Sequence, residues 1–338
     1  MLIRSANALD IDAMRVMAEA VPAGMTSMPN DQVAWENRLF HAENSFSTES
    51  KHSPKRFFLV LTDGDHILGT AGIDTKVGFD RPFYNYKVST QVMASKELDL
   101  ATRYQTLNLV NDFTGATELN SLFLLPSARR KYLGQFLSRS RFLLMYDFIA
   151  FFDEQVFAEI RGWLDADNHS PFWDHIGKQF FNMPYQRADF LSAVSGSQFI
   201  SDLMPKHPIY LNLLPESVRN VVGLADDLAV PATALLKKEG FRYQGYVDIF
   251  DAGPVLQAAL EQIESIKIAK QTQVKPLNQL KAEKSLLCIV SNRDGNNYRQ
   301  ALCPVYLHQG EYYLDSAFIE QLQLNSLHQI SFLPINGA

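Results

Sequence analysis

Thr117 to Met145, TELNSLFLLPSARRKYLGQFLSRSRFLLM, reads as an apolar strand, a basic turn and a helix in direct succession, and this unit sets the fold class of the chain. Leu119, Leu122, Phe123, Leu124 and Leu125 make the strand, Pro126 stops it, and Phe136, Leu137, Ser140 and Leu144 recur at the spacing of one helix face. Between them stand Arg129, Arg130, Lys131, Tyr132, Leu133, Gly134 and Gln135. Three cations at a helix N-terminus oppose the helix dipole, each by roughly 0.3 to 1 kcal/mol. A bound pyrophosphate reverses that balance, because it meets both the cations and the free N–H groups of the first turn. The competing reading is a solvated basic turn, the usual fate of a charge run.

Outward from this unit, strands and helices alternate. Leu2 to Arg4 reads as a strand, and Ile11, Met14, Met17, Ala18 and Val21 mark one face of a helix that Asn7 or Asp10 can cap. Asp63-Gly64 between Phe57–Leu61 and His66–Ala71 signals a hairpin, and the polar stretch 45–55 is a loop. Val156 to Ile160 reads as a strand, 170–181 as a helix, and 231–250 as a helix stopped by Gly240 before a strand beginning at Phe241. The stretch 256–270 has a helix-like pattern, and the polar connection 271–284 is the expected boundary. Beyond it, 286–291, 301–307, 312–314 and 329–333 read as strands, with a short helix near 316–322. The class is α/β (α+β): a larger region over 1–270 and a small β-rich C-terminal domain over 285–338.

The 338 residues, 46% hydrophobic, can bury a sizeable core, and the net charge of −6 argues against nucleic acid as a partner. An anionic ligand therefore needs a local basic patch, such as 129–131. No window approaches the roughly 20 apolar residues of a membrane span, which points away from the membrane and to the cytoplasm. Cys288 and Cys303 have no CxxC spacing and no clustered histidines, so they read as buried thiols, with no metal site and no disulfide framework.

Two features resemble the GNAT superfamily of acyl-CoA N-acyltransferases: the opening IRSANALDIDAM and the unit 117–145, where Arg129, Tyr132 and Gly134 fall on the phosphate-loop pattern with its first glycine replaced. FYNYKV (83–88), ASKEL (94–98), EIRG (159–162), SPFW (170–173), RADFL (187–191), LMPKHPIY (203–210), KEGFRY (238–243) and DIFDAGP (248–254) resemble, in order, the bacterial arginine N-succinyltransferases. The resemblance implies a GNAT-like central sheet, mixed and mostly antiparallel, flanked by helices, with a second half-GNAT element over 165–255. It also implies transfer of a succinyl group from succinyl-CoA, a co-substrate and not a resident cofactor, to the α-amine of L-arginine by direct attack.

On that basis Leu122, Phe123, Leu124, Arg129, Arg130, Lys131, Gly134 and Gln135 are the expected acyl-CoA contacts. Tyr84, Asn85, Tyr86, Lys96, Glu118 and Glu159 are the candidates for the amino acid and the succinyl tail, since a guanidinium wants a carboxylate and a carboxylate wants a cation or hydroxyl. The family's proton-donor histidine, three residues after the glycine matching Gly223, is here Asp226, the candidate for that role. Met93 and Phe113 replace two further family histidines, and VPAGM (21–25) stands where the family has a glycine-rich run. Two alternatives follow from these changes: a catalytically weak paralogue serving as a partner subunit, or an acceptor such as ornithine. The resemblance further implies a homo-oligomer or a hetero-oligomer with a related subunit.

Overall fold

The computed structural model of the chain describes residues 1–21, 25, 27–46, 53–195, 198–277, 284–324, 327 and 329–336. β1 (Leu2–Ser5) leads through an Asn7-capped 3-10 turn into α1 (Ile11–Glu19), which buries Met14 and Met17. α2 (Gln32–Asn44) starts at Asp31, whose carboxylate accepts the Ala34 N–H at 2.8 Å. β2 (Arg56–Asp63) and β3 (His66–Asp74) form the expected hairpin. The longer hairpin of β4 (Asn85–Ser95) and β5 (Leu100–Val110) lacked a readable period because its outer half is exposed on both faces. β6 (Thr117–Leu124), α3 (Leu133–Asp147) and β7 (Gln155–Glu159) follow as read. Of the expected loop 45–55, residues 47–52 lie outside the described residues, as do 22–24 of VPAGM.

The single helix expected over 170–181 is two, α4 (Pro171–His175) and α5 (Gly177–Phe181), followed by α6 (Tyr185–Ser195), α7 (Gln198–Leu203), β8 (Ile209–Tyr210), α8 (Glu216–Arg219), α9 (Val230–Lys238) and β9 (Arg242–Val247). The helix-like 256–270 begins as a strand, β10 (Pro254–Ala259), and turns helical only from Leu260, in the 3-10 turn Leu260–Gln262 and α10 (Glu264–Ile268). β10 runs between β7 and β9 with its first four residues buried, and a short apolar run covered on both faces has no alternation to distinguish it from a helix. The expected boundary at 271–284 holds β11 (Lys270–Pro276), while 278–283 lie outside the described residues. β12 (Lys284–Ser291), β13 (Arg299–His308), β14 (Glu311–Leu314), α11 (Ser316–Gln321) and β15 (Gln329–Pro334) complete the chain.

The strands pair in the order β12-β15-β11-β14-β13-β1-β2-β3-β6-β7-β10-β9-β4-β5-β8, with β12 also pairing β13. The last five strands of the chain thus close on themselves around Val274, Val290, Val305, Leu314, Ile330 and Phe332, and β13 continues across to β1. Cys288 and Cys303 face each other across β12 and β13 as free, buried thiols, and burial pushes the Cys288 thiol up to about 12. In the main sheet the pairs are antiparallel except β6 with β7. α1 and α2 cover one face over Phe58, Val60 and Phe123. α3 covers the other over Leu59, Ala71 and Leu119, and a helix buried on nearly every side needs partners for its polar groups. Arg139 accordingly bonds Glu239 (2.9 Å), Ser265 (2.9 Å) and the carbonyls of Pro334 (2.7 Å) and Ile335 (2.9 Å), fastening the end of β15 to α3. No helix among the described residues is long and apolar enough to cross a membrane.

Candidate active site

Ser121 in β6 takes a left-handed φ of 51°, and the register with β3 slips between Thr70–Phe123 and Gly72–Asn120. This β-bulge turns Asn120 and Ser121 to one face. There the Arg38 guanidinium of α2 donates to Asn120 Oδ1 at 2.8 Å and Ser121 Oγ at 2.7 Å, and to the Ser27 carbonyl at 2.6 Å. A Cβ at position 72 would collide with the Asn120 amide and crowd Arg38, so glycine here leaves the room that this pair of side chains occupies. Gly72→Val is expected to cost about 1–3 kcal/mol by overpacking. An unchanged melting temperature would show that the bulge does not depend on this contact.

On its other edge β6 meets β7 only at Thr117–Val156 and Glu118–Phe157. Beyond that pair the strands diverge, and among the described residues no strand pairs with Leu119–Leu124 on this side. An unpaired strand edge presents main-chain donors, here around Leu122, Phe123 and Leu124.

Glu118 lies at the point of divergence, beside Asp74 of β3 and Phe157 of β7. Glu159, two residues past Phe157, points to the same face. Burial, followed by the charge of Asp74, raises the Glu118 carboxyl to about 7 against the opposing pull of Arg38. Burial, followed by Asp248 and Glu118, holds the Glu159 carboxyl well above the usual carboxylate range. Its Oε1 accepts from Asn85 Nδ2 at 2.7 Å, and the Asn85 Oδ1, out of solvent, has no hydrogen-bond partner.

The turn between β9 and β10 completes this wall. Asp248 Oδ1 accepts the N–H groups of Phe250 (2.7 Å) and Asp251 (3.0 Å), and Asp251 accepts those of Gly162 and Gly253, each at 2.8 Å. Gly162 must be glycine, since a Cβ there would come within 2.5 Å of the Asp251 carbonyl. Burial raises both aspartates as well. A wall of carboxyls held above their ordinary range suits a cationic ligand, whose charge would ionise them.

At the far end of β6 the chain passes through the 3-10 turn Pro126–Ala128 and reaches α3 by way of Tyr132, at a left-handed φ of 71°. The Leu133 N–H bonds Arg130 O and the Phe136 N–H bonds Tyr132 O, which leaves the first-turn amides of Gly134 and Gln135 without an intrahelical acceptor. Nothing lies within 4 Å of where a Gly134 Cβ would be. Arg129 Nε reaches back to Leu124 O at 3.3 Å, Arg130 lies 4.0 Å from Asp63, and Lys131 sits over the Tyr132 ring, all three exposed. The turn therefore presents open backbone, two N–H groups and three cations.

A family model for the arginine N-succinyltransferase beta subunit matches residues 1–265. The chain belongs to the arginine N-succinyltransferase family. The arginine N-succinyltransferase of Photorhabdus laumondii is 33% identical over 337 residues, covering 99% of this chain and 98% of the relative. That of Shigella dysenteriae is 38% identical over 304 residues, 89% and 88% of the two chains. The solved structure of arginine/ornithine succinyltransferase subunit AI from Pseudomonas aeruginosa superposes with a TM-score of 0.88 at 29% identity, covering 99% of this chain and 98% of that one.

Within this succinyltransferase-family fold, Asn85, Glu118 and Glu159 come together, and the turn 129–135 stands at the end of β6. Lys96 does not join them: it sits exposed at the tip of the β4–β5 hairpin, just past Ser95, which is ten residue steps or about 33 Å from Asn85 at strand rise. Tyr86 is fully buried against Phe172 with its hydroxyl 3.9 Å from Met204 Sδ, because alternate strand residues face opposite sides and Asn85 takes the side of Glu159. Tyr84 packs partly buried against the cluster that holds Tyr86 and Phe172. Asp226 is buried, its Oδ1 accepting the Leu228 N–H at 3.0 Å and lying 3.7 Å from Arg161 Nη1. Of the positions where family histidines are replaced, Met93 is 63% exposed on the hairpin and Phe113 stacks in the core on Phe157 at 4.4 Å.

His169 is exposed in an Asx turn, where the Asp165 carboxylate accepts the N–H groups of Asp167 and His169. Sequence reasoning missed Arg38, which sits in a helix with no visible period, and read Arg161 only as a structural partner for Glu118 or Glu159.

Proposed function

We propose that this chain is an arginine N-succinyltransferase that joins succinyl-CoA and L-arginine at the divergence of β6 and β7. The observation that carries the proposal is the continuity of three features along one strand. A basic helix N-terminus lies at the end of β6, a free backbone edge in its middle, and a carboxyl poised near neutrality at Glu118. The parallel pair that parts after two residues, together with the bulge, supports a GNAT-like sheet.

The pyrophosphate of the donor would lie on the Gly134 and Gln135 amides with Arg129, Arg130 and Lys131 around it. Its pantetheine would follow the β6 edge, and the thioester carbonyl would accept a main-chain N–H around Leu122 to Leu124. Glu118 takes a proton from the α-ammonium of the acceptor, and the freed amine attacks the thioester carbon. The tetrahedral oxyanion collapses, the C–S bond breaks, and the leaving thiolate takes up the second proton of the attacking nitrogen, giving N2-succinylarginine and free coenzyme A. A thiol of reference pKa near 8.5 departs without a strong acid. Asp226, which caps the turn at Leu228 and lies beside Arg161, is accordingly assigned to positioning. Glu159 and Asn85 take the cationic side chain, and the same wall would admit ornithine. Holding two reactants in line supplies most of the acceleration.

Mixing the purified chain with succinyl-CoA and arginine is expected to release free thiol at enzymatic rates. Failure of calorimetry to detect any succinyl-CoA binding would remove the proposal. In the same assay Tyr132→Gly should keep its donor affinity, because glycine adopts the φ of this position freely. Lost binding would mean that the ring itself contacts the ligand.

A further inference from the structure

Arg161 follows Glu159 by two positions on the line of β7. Its backbone is tied on both sides: its carbonyl accepts the Asp226 N–H at 2.9 Å, and Gly162 bridges to Ala225. Its side chain is 13% exposed, yet Nε and Nη1 are out of solvent and donate to nothing. The nearest acid, Asp226 Oδ1 at 3.7 Å, is beyond hydrogen-bond reach and already accepts the Leu228 N–H. Other buried arginines here behave differently. Arg38 has three acceptors, Arg139 four, and Arg141 bonds Ser138 twice. Unmade hydrogen bonds on a buried guanidinium are costly, so a purely structural arginine would be expected to fill them.

The surroundings point the same way. Arg161 acts on Asp251 and Tyr185, within a wall otherwise formed by Glu159, Asp248 and Asp251. A cation set among carboxyls is complementary to reactants that bring both a cation and a carboxylate, and the guanidinium fork matches a carboxylate in two parallel bonds.

We infer that Arg161 is the carboxylate receptor of the site, with Asp226 as the positioning residue that keeps its guanidinium in place. The inference rests on the function proposed above. Two reactant groups share this chemistry, the terminal carboxylate of the succinyl chain and the α-carboxylate of the amino acid, and the test separates them.

Calorimetry on the full chain and on Arg161→Gln would compare succinyl-CoA with butyryl-CoA, which replaces the terminal carboxylate by methyl, and arginine with agmatine, which lacks the α-carboxylate. If the acyl carboxylate is bound, the variant weakens succinyl-CoA on the order of 10- to 100-fold and leaves butyryl-CoA unchanged. If the amino-acid carboxylate is bound, arginine weakens by that factor and agmatine does not. Arg161→Lys, which keeps the charge without the fork, should recover part of the loss. Equal weakening of carboxylate and carboxylate-free partners, or no weakening, overturns the inference. Should Arg161→Gln fail to fold, Arg161→Lys alone decides, by the same selective or unselective pattern. Absence of turnover by the parent chain would count against the proposed reaction and not against these binding ratios.

Discussion

Glu118→Gln is expected to lower kcat for thiol release by about 10²- to 10⁴-fold, the range associated with loss of a general base, with little change in either KM. The base must be ionised to accept the ammonium proton. With burial and Asp74 holding its carboxyl near 7, the parent kcat/KM for arginine should fall roughly tenfold for each pH unit below that value and level off above it. The variant should lose this limb. Asp74→Asn offers an independent check, because removing the second cause of the upward shift should move the limb to lower pH while preserving its shape. A Glu118→Gln enzyme that keeps both its rate and its acid limb would assign the proton transfer to another group.

Glu159→Gln should act on KM for arginine, raising it about 10- to 100-fold, the value of one charge-assisted hydrogen bond, while kcat changes little. Before arginine binds, burial, Asp248 and Glu118 keep this carboxyl protonated well above the usual range. A guanidinium arriving beside it favours ionisation, so arginine binding should expel protons. Calorimetric enthalpies would then vary with the ionisation enthalpy of the buffer, and KM for arginine would fall as pH rises. The same shifts have a consequence for stability. Carboxyls whose native values lie above their unfolded ones, 4.5 for glutamate and 3.8 for aspartate, favour the fold while protonated. That contribution is present at low pH and is lost as pH rises through the native values. Arginine should restore part of it. A pH-independent KM would place the guanidinium elsewhere.

Much of this site was legible before any coordinates. The strand, basic turn and helix of 117–145 follow from apolar spacing, one proline and a charge run, and the hairpin at Asp63-Gly64 follows from turn chemistry. These signals are local, because a few neighbouring residues fix the backbone. The motif order placed the chain in its family, and the groups its reaction needs singled out Asn85, Glu118 and Glu159 as candidates. Tyr86 and Lys96 emerged by the same reasoning and were misplaced, since residue type does not say which face of a strand meets the site or how far a hairpin carries its tip.

The sequence by itself therefore determined the local elements around β6, the family and the kinds of group its chemistry needs. Only the tertiary structure decided that 254–259 is an inner strand, that Arg38 clamps a bulge 82 positions away, and that burial together with Asp248 and Glu118 raises the proton affinity of Glu159. It also decided that Arg161 has a partner beyond hydrogen-bond reach. The reason is physical: strand identity between two covered faces and the charge state of a buried group both depend on what stands a few ångströms away in space, whatever the separation along the chain.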